Sequence, residues 1–338
     1  MDVARPWKAW LARVWSASAS PEMLRRCAAL TAWALAIGIV SGGTVRLTGS
    51  GLGCKDWPAC TSTSIVAPLQ FHAWVEFGNR LVNVVITVAI VATAFAAWRR
   101  RPRRRDVLWA AGALVAGVFG EVVLGGETVL HKLAPPFVMG HFLLAMALMV
   151  VAMLLWHRSR LPESTSGQPE GRAVVLPARR LVGRVQLLGS RAMLAWTSVV
   201  VTLGTVVTGT GPHAGAPGVP RFHFSLHSVA QLHGTSVEVL LALTVATLWS
   251  IYRSGADQAV LRRGELLLVV LVAQAGVGYT QYFTGDPVVL VGCHIAGATS
   301  VVVAMCWFNF GLFAREQPRV QIVAEGTEAR SVPQLVGT

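Results

Sequence analysis

The chain reads as an all-α membrane protein: eight transmembrane helices forming two four-helix bundles related by a pseudo-twofold axis. Three observations predict this. The 338 residues are 54% hydrophobic and only 13% charged, whereas a soluble domain carries roughly 25% charged residues; mean hydropathy is +0.56. Apolar runs near the membrane-spanning length of about 20 residues occur at 28–47, 75–98, 107–126, 137–157, 191–211, 229–252, 264–284 and 288–313. Features of the first four runs recur at matching places in the last four. Each run is a helix because lipid offers backbone groups no outside hydrogen-bond partner.

The connections between the runs set the organisation. All but five of the 29 Lys and Arg residues lie at the termini or in the second–third, fourth–fifth and sixth–seventh connections; the five are Arg46, Lys55, Arg80, Lys132 and Arg221. The positive-inside rule then places both termini in the cytoplasm. It also accounts for the net charge of +13 with a lipid bilayer as the partner and no nucleic acid. Residues 1–27 form a cytoplasmic segment, basic and Trp-rich (Trp7, Trp10, Trp15), without the apolar core of a cleavable signal peptide. A short interfacial helix and a disordered arm both suit its N-terminal part. Residues 28–157 make the first half and 191–313 the second. Between them lies a cytoplasmic linker, 158–190, whose stretch Leu161–Pro177 is rich in Pro, Ser, Gly and Glu and reads as flexible. Residues 314–338 are a cytoplasmic tail. A composition rich in Ala, Val, Gly and Arg suits a bacterial plasma membrane.

The internal repeat is specific. Glu121 stands 20 positions before His141, and Gln274 stands 20 before His294. Gly125 and Gly278 precede the same histidines by 16, and Pro136 and Pro287 precede the fourth helix of each half. Asn79 and His233 fall 62 and 61 residues before those histidines. The first helices end in related text, GTVRLTGSG (Gly43–Gly51) and GTVVTGTG (Gly204–Gly211). Two parallel halves imply an axis along the membrane normal, and each bundle has room for a cofactor between facing helices.

The stretch Trp74–Arg80 (WVEFGNR) places Glu76 and Arg80 one helical turn apart at the mouth of an apolar helix. Ionisable groups there are functional candidates by default, although one interfacial pair taken alone would simply snorkel. Eight of the nine histidines lie at the outer side, with His157 the exception. A lone histidine at a helix end is more often a satisfied interfacial group than a ligand, and His131, His213, His223 and His227 fit that description. His233 and His294 differ, because they occupy corresponding depths in two helices of one half. Such imidazoles suit the axial positions of a haem iron, with Gly234, Gly292 and Gly297 leaving room for a macrocycle. Zinc would want about four ligands. In the first half only His141 holds the equivalent place, since its partner position carries Asn79. His72 lies seven residues before Asn79, and a helix starting by His72 would align His72, Glu76, Asn79 and Arg80. The second half therefore reads as a permanent cofactor site and the first as the place where something is changed. Cys54 and Cys60 lie in an outer loop where a disulfide is permitted, either as a structural staple or as a redox-active pair. Cys27, Cys293 and Cys306 read as buried packing residues, and Glu238 as facing a bundle interior.

These residues resemble the haem A synthase family over nearly all of Leu30–Phe313. The likeness rests on RLTGSGLGCKDWPAC (Arg46–Cys60), EFGNR (Glu76–Arg80), GTGPHAG (Gly209–Gly215), QLHG (Gln231–Gly234) and the histidines opening the fourth and eighth helices. It implies oxidation of the C8 methyl of haem O to the formyl of haem A for cytochrome oxidase, with oxygen drawn from water. It implies haem b between His233 and His294, the substrate haem at His141, an essential carboxylate at Glu76 and an outer-loop cysteine pair at Cys54 and Cys60. Haem sites toward the extracytoplasmic side, haem O synthase and cytochrome oxidase assembly as partners, an unidentified electron acceptor and a homo-oligomer are compatible with it. The departure is Asn79, where many members have a histidine; either His72 replaces it, or the iron keeps an open or water-filled position. Two other classes fit parts of the pattern: a transmembrane b-type cytochrome that leaves its haem unmodified, and a transporter or haem-delivery protein.

Overall fold

A computed structural model describes residues 18–315. The basic, Trp-rich stretch at the start and most of the tail lie outside the described residues. Eight long helices follow in order: α1 (Pro21–Leu47), α2 (Phe71–Arg99), α3 (Arg105–Leu130), α4 (Pro135–Ser159), α5 (Arg184–Thr210), α6 (Leu226–Arg253), α7 (Gln258–Phe283) and α8 (Val288–Phe310). All eight are long and apolar enough to cross a membrane, which makes this a multi-pass membrane protein. Large apolar side chains such as Trp33, Trp109, Phe119 and Val289 stand exposed on the outside of the bundle, where lipid would cover them.

Most helices run past the apolar stretch that announced them. α2 begins four residues before the expected boundary, α5 seven and α7 six. Hydropathy marks where lipid is, whereas helices continue into the interface while their end groups find partners. Ser20 caps α1 by accepting from the Met23 amide at 3.1 Å, and Asp257 caps α7 by accepting from Ala259 at 2.8 Å. Pro135 and Pro136 open α4, where a missing N–H costs nothing. α8 does the opposite: it was expected to reach 313 but stops at Phe310, before Gly311.

Within each half, neighbouring helices pack in a ring. α1 meets α2 and α4, and α3 meets α2 and α4; α5 meets α6 and α8, and α7 meets α6 and α8. The halves join through their first and fourth helices, by α1 on α8, α4 on α5 and α4 on α8. Exchanging α1 with α5 and α4 with α8 maps these contacts onto themselves, as a pseudo-twofold axis requires. Buried apolar side chains form one core per half, around Leu24, Ile90, Leu114 and Met149 in the first and Met193, Leu240, Leu267 and Phe308 in the second.

The linker expected to be flexible is tied down. Its β1 (Glu163–Ser164) pairs antiparallel with β2 (Val174–Val175), and β3 (Arg179–Arg180) pairs with β4 (Phe313–Ala314). Charge is the reason. Arg100 and Arg104 are buried to 3% and 1% exposure, and Glu163 supplies an anion to both, at 2.7 and 3.5 Å. Asp106 holds Arg104 from the other side at 2.7 Å. Glu238 also departs from expectation. It stands exposed on α6 rather than in the bundle interior, accepting a hydrogen bond from the Tyr279 hydroxyl on α7 at 2.7 Å.

Candidate functional site

The repeat is built around two equal turns. The α3–α4 and α7–α8 connections, 131–134 and 284–287, are each four residues long. Each holds two residues in the left-handed region: Lys132 (φ 51°) and Leu133 (59°) in one, Gly285 (79°) and Asp286 (57°) in the other. Glu121 and Gln274 therefore both lie nine residues before the end of their helix, and His141 and His294 both lie six residues into the next. With a fixed rise per residue, acceptor and histidine reach the same relative depth in each half. The Glu121 Oε2 lies directly against His141 Nδ1, off the axis of an aligned hydrogen bond. Gln274 Nε2 lies 3.1 Å from His294 Nδ1 and donates to the His294 carbonyl at 2.9 Å.

Glycines seat the imidazole edges. A Cβ added at Gly278 would come within 2.9 Å of His294 Cε1, and one at Gly125 within 3.5 Å of His141 Cε1. On the opposite wall a Cβ at Gly204 would come within 3.2 Å of His233 Cε1. Gly204 comes from a helix that sequence spacing does not pair with His233. Gly297, expected to make room for a macrocycle, instead makes room for Gln274, whose Oε1 would strike a Cβ there.

In the second half His233 and His294 face one another across the bundle, with ring centroids 6.3 Å apart and planes at 76°. A metal-bound imidazole nitrogen sits about 2 Å from its metal, so two imidazoles gripping one ion from opposite sides have centroids roughly 6 Å apart. His233 Nδ1 is buried without a well-formed hydrogen bond, with the Val200 backbone beside it. Among the described residues no group of three or more His, Cys, Asp and Glu side chains forms a metal cage. A two-nitrogen donor set with a small-residue wall fits the iron of a haem.

The first half is assembled differently. α2 begins at Phe71, so His72, Glu76, Asn79 and Arg80 share one side of the helix, but they do not converge on one point: Glu76 and Arg80 pair with each other, while His72 and Asn79 go to separate partners. His72 Nδ1 hydrogen-bonds the Ser50 hydroxyl at 2.9 Å. Asn79 Oδ1 accepts from Ser41 on α1 at 2.8 Å. Among the described residues no ring contact joins His72 to His141. Glu76, 5% exposed, accepts from the Cys54 amide at 2.8 Å and from Arg80 Nη2 at 2.6 Å. Arg80 also donates to the carbonyls of Asp56, Pro58 and Ala59 at 3.0–3.1 Å. Cys54 and Cys60 are bridged and fully buried. Glu76 and Arg80 thus hold the small disulfide loop at several backbone points. Trp57 extends the cover to α3, where a Cβ at Gly126 would touch its ring at 3.0 Å.

The remaining motif residues knit the halves together. Arg46 donates to the carbonyls of Thr208 and His213, at 2.7 and 2.5 Å. Gly51 N–H donates to Gly215 at 2.8 Å, and His213 Nε2 donates to the Asp286 carbonyl at 2.8 Å. His213 is accordingly a brace on the α7–α8 turn. His227 pairs with the Tyr282 hydroxyl at 2.8 Å, and His131 stacks on Phe137, which leaves both as satisfied interfacial groups.

Comparison with known proteins identifies the family. The COX15-CtaA family model, described as a cytochrome oxidase assembly protein, matches residues 66–306, from the loop before α2 to within α8. A haem A synthase of Shouchella clausii is 22% identical over 298 residues, covering 88% of this chain and 99% of the relative. Those of Shewanella oneidensis and a Bradyrhizobium species are 24% and 26% identical, each over 81% of this chain and covering 92% and 86% of the relative. With a match that runs from α2 to within α8, the chain belongs to the COX15-CtaA family of cytochrome oxidase assembly proteins.

Proposed function

We propose that this chain is a haem A synthase, an oxidoreductase that converts the C8 methyl of haem O to a formyl group for cytochrome oxidase. The observation that carries the reading is the contrast between halves: an opposed His233–His294 pair in one, and in the other a lone His141 backed by Glu121, with a buried carboxylate, Glu76, on α2 of the same half. The names of the relatives support it. His233 and His294 would hold haem b, which when bound would supply a reversible one-electron carrier. The substrate haem lies in the first half with His141 on its iron.

The first oxidation is R–CH3 + H2O → R–CH2OH + 2 e⁻ + 2 H⁺, and a second of the same form yields the hydrated aldehyde. The chain supplies a held anion and a cover for this. An ionised carboxylate has about four lone-pair sites; Glu76 spends two of them on Cys54 and Arg80, and the Gly53 amide takes a third. The one that remains can accept from the attacking water, or stabilise positive charge on the substrate carbon, without releasing the loop. The bridged loop closes over this end, and exclusion of bulk water strengthens that anion. Both termini are cytoplasmic and the sites open toward the extracytoplasmic side of the plasma membrane, as the placement of Arg residues supports.

The test is to extract and chromatograph the haems of the purified full-length chain, expressed with and without a haem O supply. Haem b together with haem O, its alcohol and haem A, with conversion lost in Glu76→Ala, supports the synthase. Haem b alone under both conditions would instead identify an electron-transfer cytochrome.

A further inference from the structure

The two halves put different chemical groups behind their fourth-helix histidines, at one and the same structural position. Behind His141 stands a carboxylate, Glu121, whose Oε2 faces Nδ1 and whose Oε1 is buried without a hydrogen-bond partner. Behind His294 stands an amide, Gln274, held by the His294 carbonyl at 2.9 Å and seated in the space that Gly297 leaves. Both positions face Nδ1, and both rings have a glycine against the Cε1 edge. What differs between the backing groups is charge and hydrogen-bond character.

A carboxylate can only accept, so Glu121, brought into line with Nδ1, fixes the proton of His141 there and leaves Nε2 free as a donor to iron. Such backing raises the basicity of the imidazole and favours the ferric over the ferrous ion. Gln274 as placed turns its NH2 group toward Nδ1. For Nε2 of His294 to bind iron, the amide must present Oε1 instead and give up its bond to the His294 carbonyl. A neutral amide so used polarises the imidazole less than a carboxylate does.

We propose that Glu121 and Gln274 are positioning residues that set a potential difference between the two halves. Glu121 makes His141 the stronger donor and lowers the potential of the haem it ligates, and Gln274 leaves the haem at His294 higher. Electrons released at the substrate then pass downhill into the second half. This rests on the synthase reading above and adds the device that directs its electrons.

The experiment is a redox titration of the purified full-length protein carrying both haems, followed by haem absorbance. Each signal is assigned by its loss in His141→Ala or His294→Ala. In the wild type the His141 haem is expected at the lower potential. Glu121→Gln should shift its reduction equilibrium tenfold or more toward the ferrous form, 59 mV for a one-electron couple, and leave the other signal in place. Gln274→Glu should shift the His294 haem by as much in the opposite direction. Loss of packing alone would not move two potentials in opposite senses. If both variants keep their haem and neither potential moves, the proposal is overturned, while conversion of haem O by the wild type would leave the synthase reading standing. If Glu121→Gln loses its haem, Gln274→Glu decides alone, and an unmoved potential there overturns the proposal. A wild-type chain that binds no haem overturns both readings.

Discussion

Arg80→Ala separates the loop-holding role of the Glu76–Arg80 pair from its chemistry. The substitution removes the Arg80 donor from Glu76 at 2.6 Å and from three loop carbonyls. The side chains of Arg80 and Glu76 are 19% and 7% exposed, so the carboxylate is left buried with the backbone amides of Cys54 and Gly53 and no cation beside it. Breaking a buried pair by deleting one partner costs about 3–5 kcal/mol. The partial exposure of Arg80 argues for the lower end, about 3 kcal/mol. That penalty falls on the closed loop, because the deleted bonds join the loop to α2. Local opening should then become roughly a hundredfold more populated. The assay is the rate at which the Cys54–Cys60 bridge is reduced and alkylated under a mild thiol, read by mass spectrometry on folded protein in detergent. Arg80→Ala should accelerate it about a hundredfold, while Arg80→Lys, one donor point in place of a fork, should fall between. Reduction as slow in Arg80→Ala as in the wild type would refute the clamp.

Three further outcomes follow from individual contacts. Gly278→Ala should displace His294 and reduce haem content in the second half, whereas Gly125→Ala should be tolerated, because the added Cβ meets the imidazole at 2.9 Å in one case and 3.5 Å in the other; equal haem content in both variants would contradict the cradle. His72→Ala should leave haem content and spectrum unchanged, since His72 is engaged with Ser50 at 2.9 Å, and a change of spin state would show that it leaves Ser50 to ligate. Glu163→Ala removes the anion held by buried Arg100 at 2.7 Å, whose pKa burial already pushes down and Glu163 pushes back up. It should cost about 3 kcal/mol of stability, and an unaltered thermal melt in detergent would show that the linker does not depend on this pair.

The sequence made the eight helices and the repeat legible because both follow from patterns along the chain. Apolar length marks a span, and equal spacings around equal turns mark the repeated pairs Glu121–His141 and Gln274–His294. Helix ends were less legible, since caps such as Asp257 act outside the lipid that hydropathy records. The linker was misread because Pro, Ser and Gly suggested flexibility, while the need of Arg100 and Arg104 for Glu163 spans about 60 residues and leaves no local trace. Gly204 against His233 and Ser41 against Asn79 were invisible for the same reason, each being a contact between separate helices. Glu238 shows the reverse error. A carboxylate within an apolar run suggested an interior position, but a tyrosine hydroxyl on the next helix satisfies it at the bundle surface.

On the proposed function, the symmetry of the scaffold lets one fold host a fixed carrier beside a reaction. With Asn79 and His233 in corresponding places, Glu76 and Arg80 correspond to Ala230 and Gly234. A Cβ at Gly234 would meet nothing within 4 Å, so the second half has open space where the first half has its clamp. The exchange is therefore concentrated at a few positions. One half trades a ligand for an amide and gains a carboxylate, an arginine and a bridged loop; the other keeps two imidazoles and a neutral backing group. Each half then lacks what the other has for the task proposed for it. The His233–His294 site has no carboxylate at the position of Glu76 to serve an attacking water, and His141 has no second imidazole from α2 across from it. Under the proposed function, electron acceptance and carbon oxidation fall to opposite halves by side-chain substitution, on helices that neighbour one another in the same order.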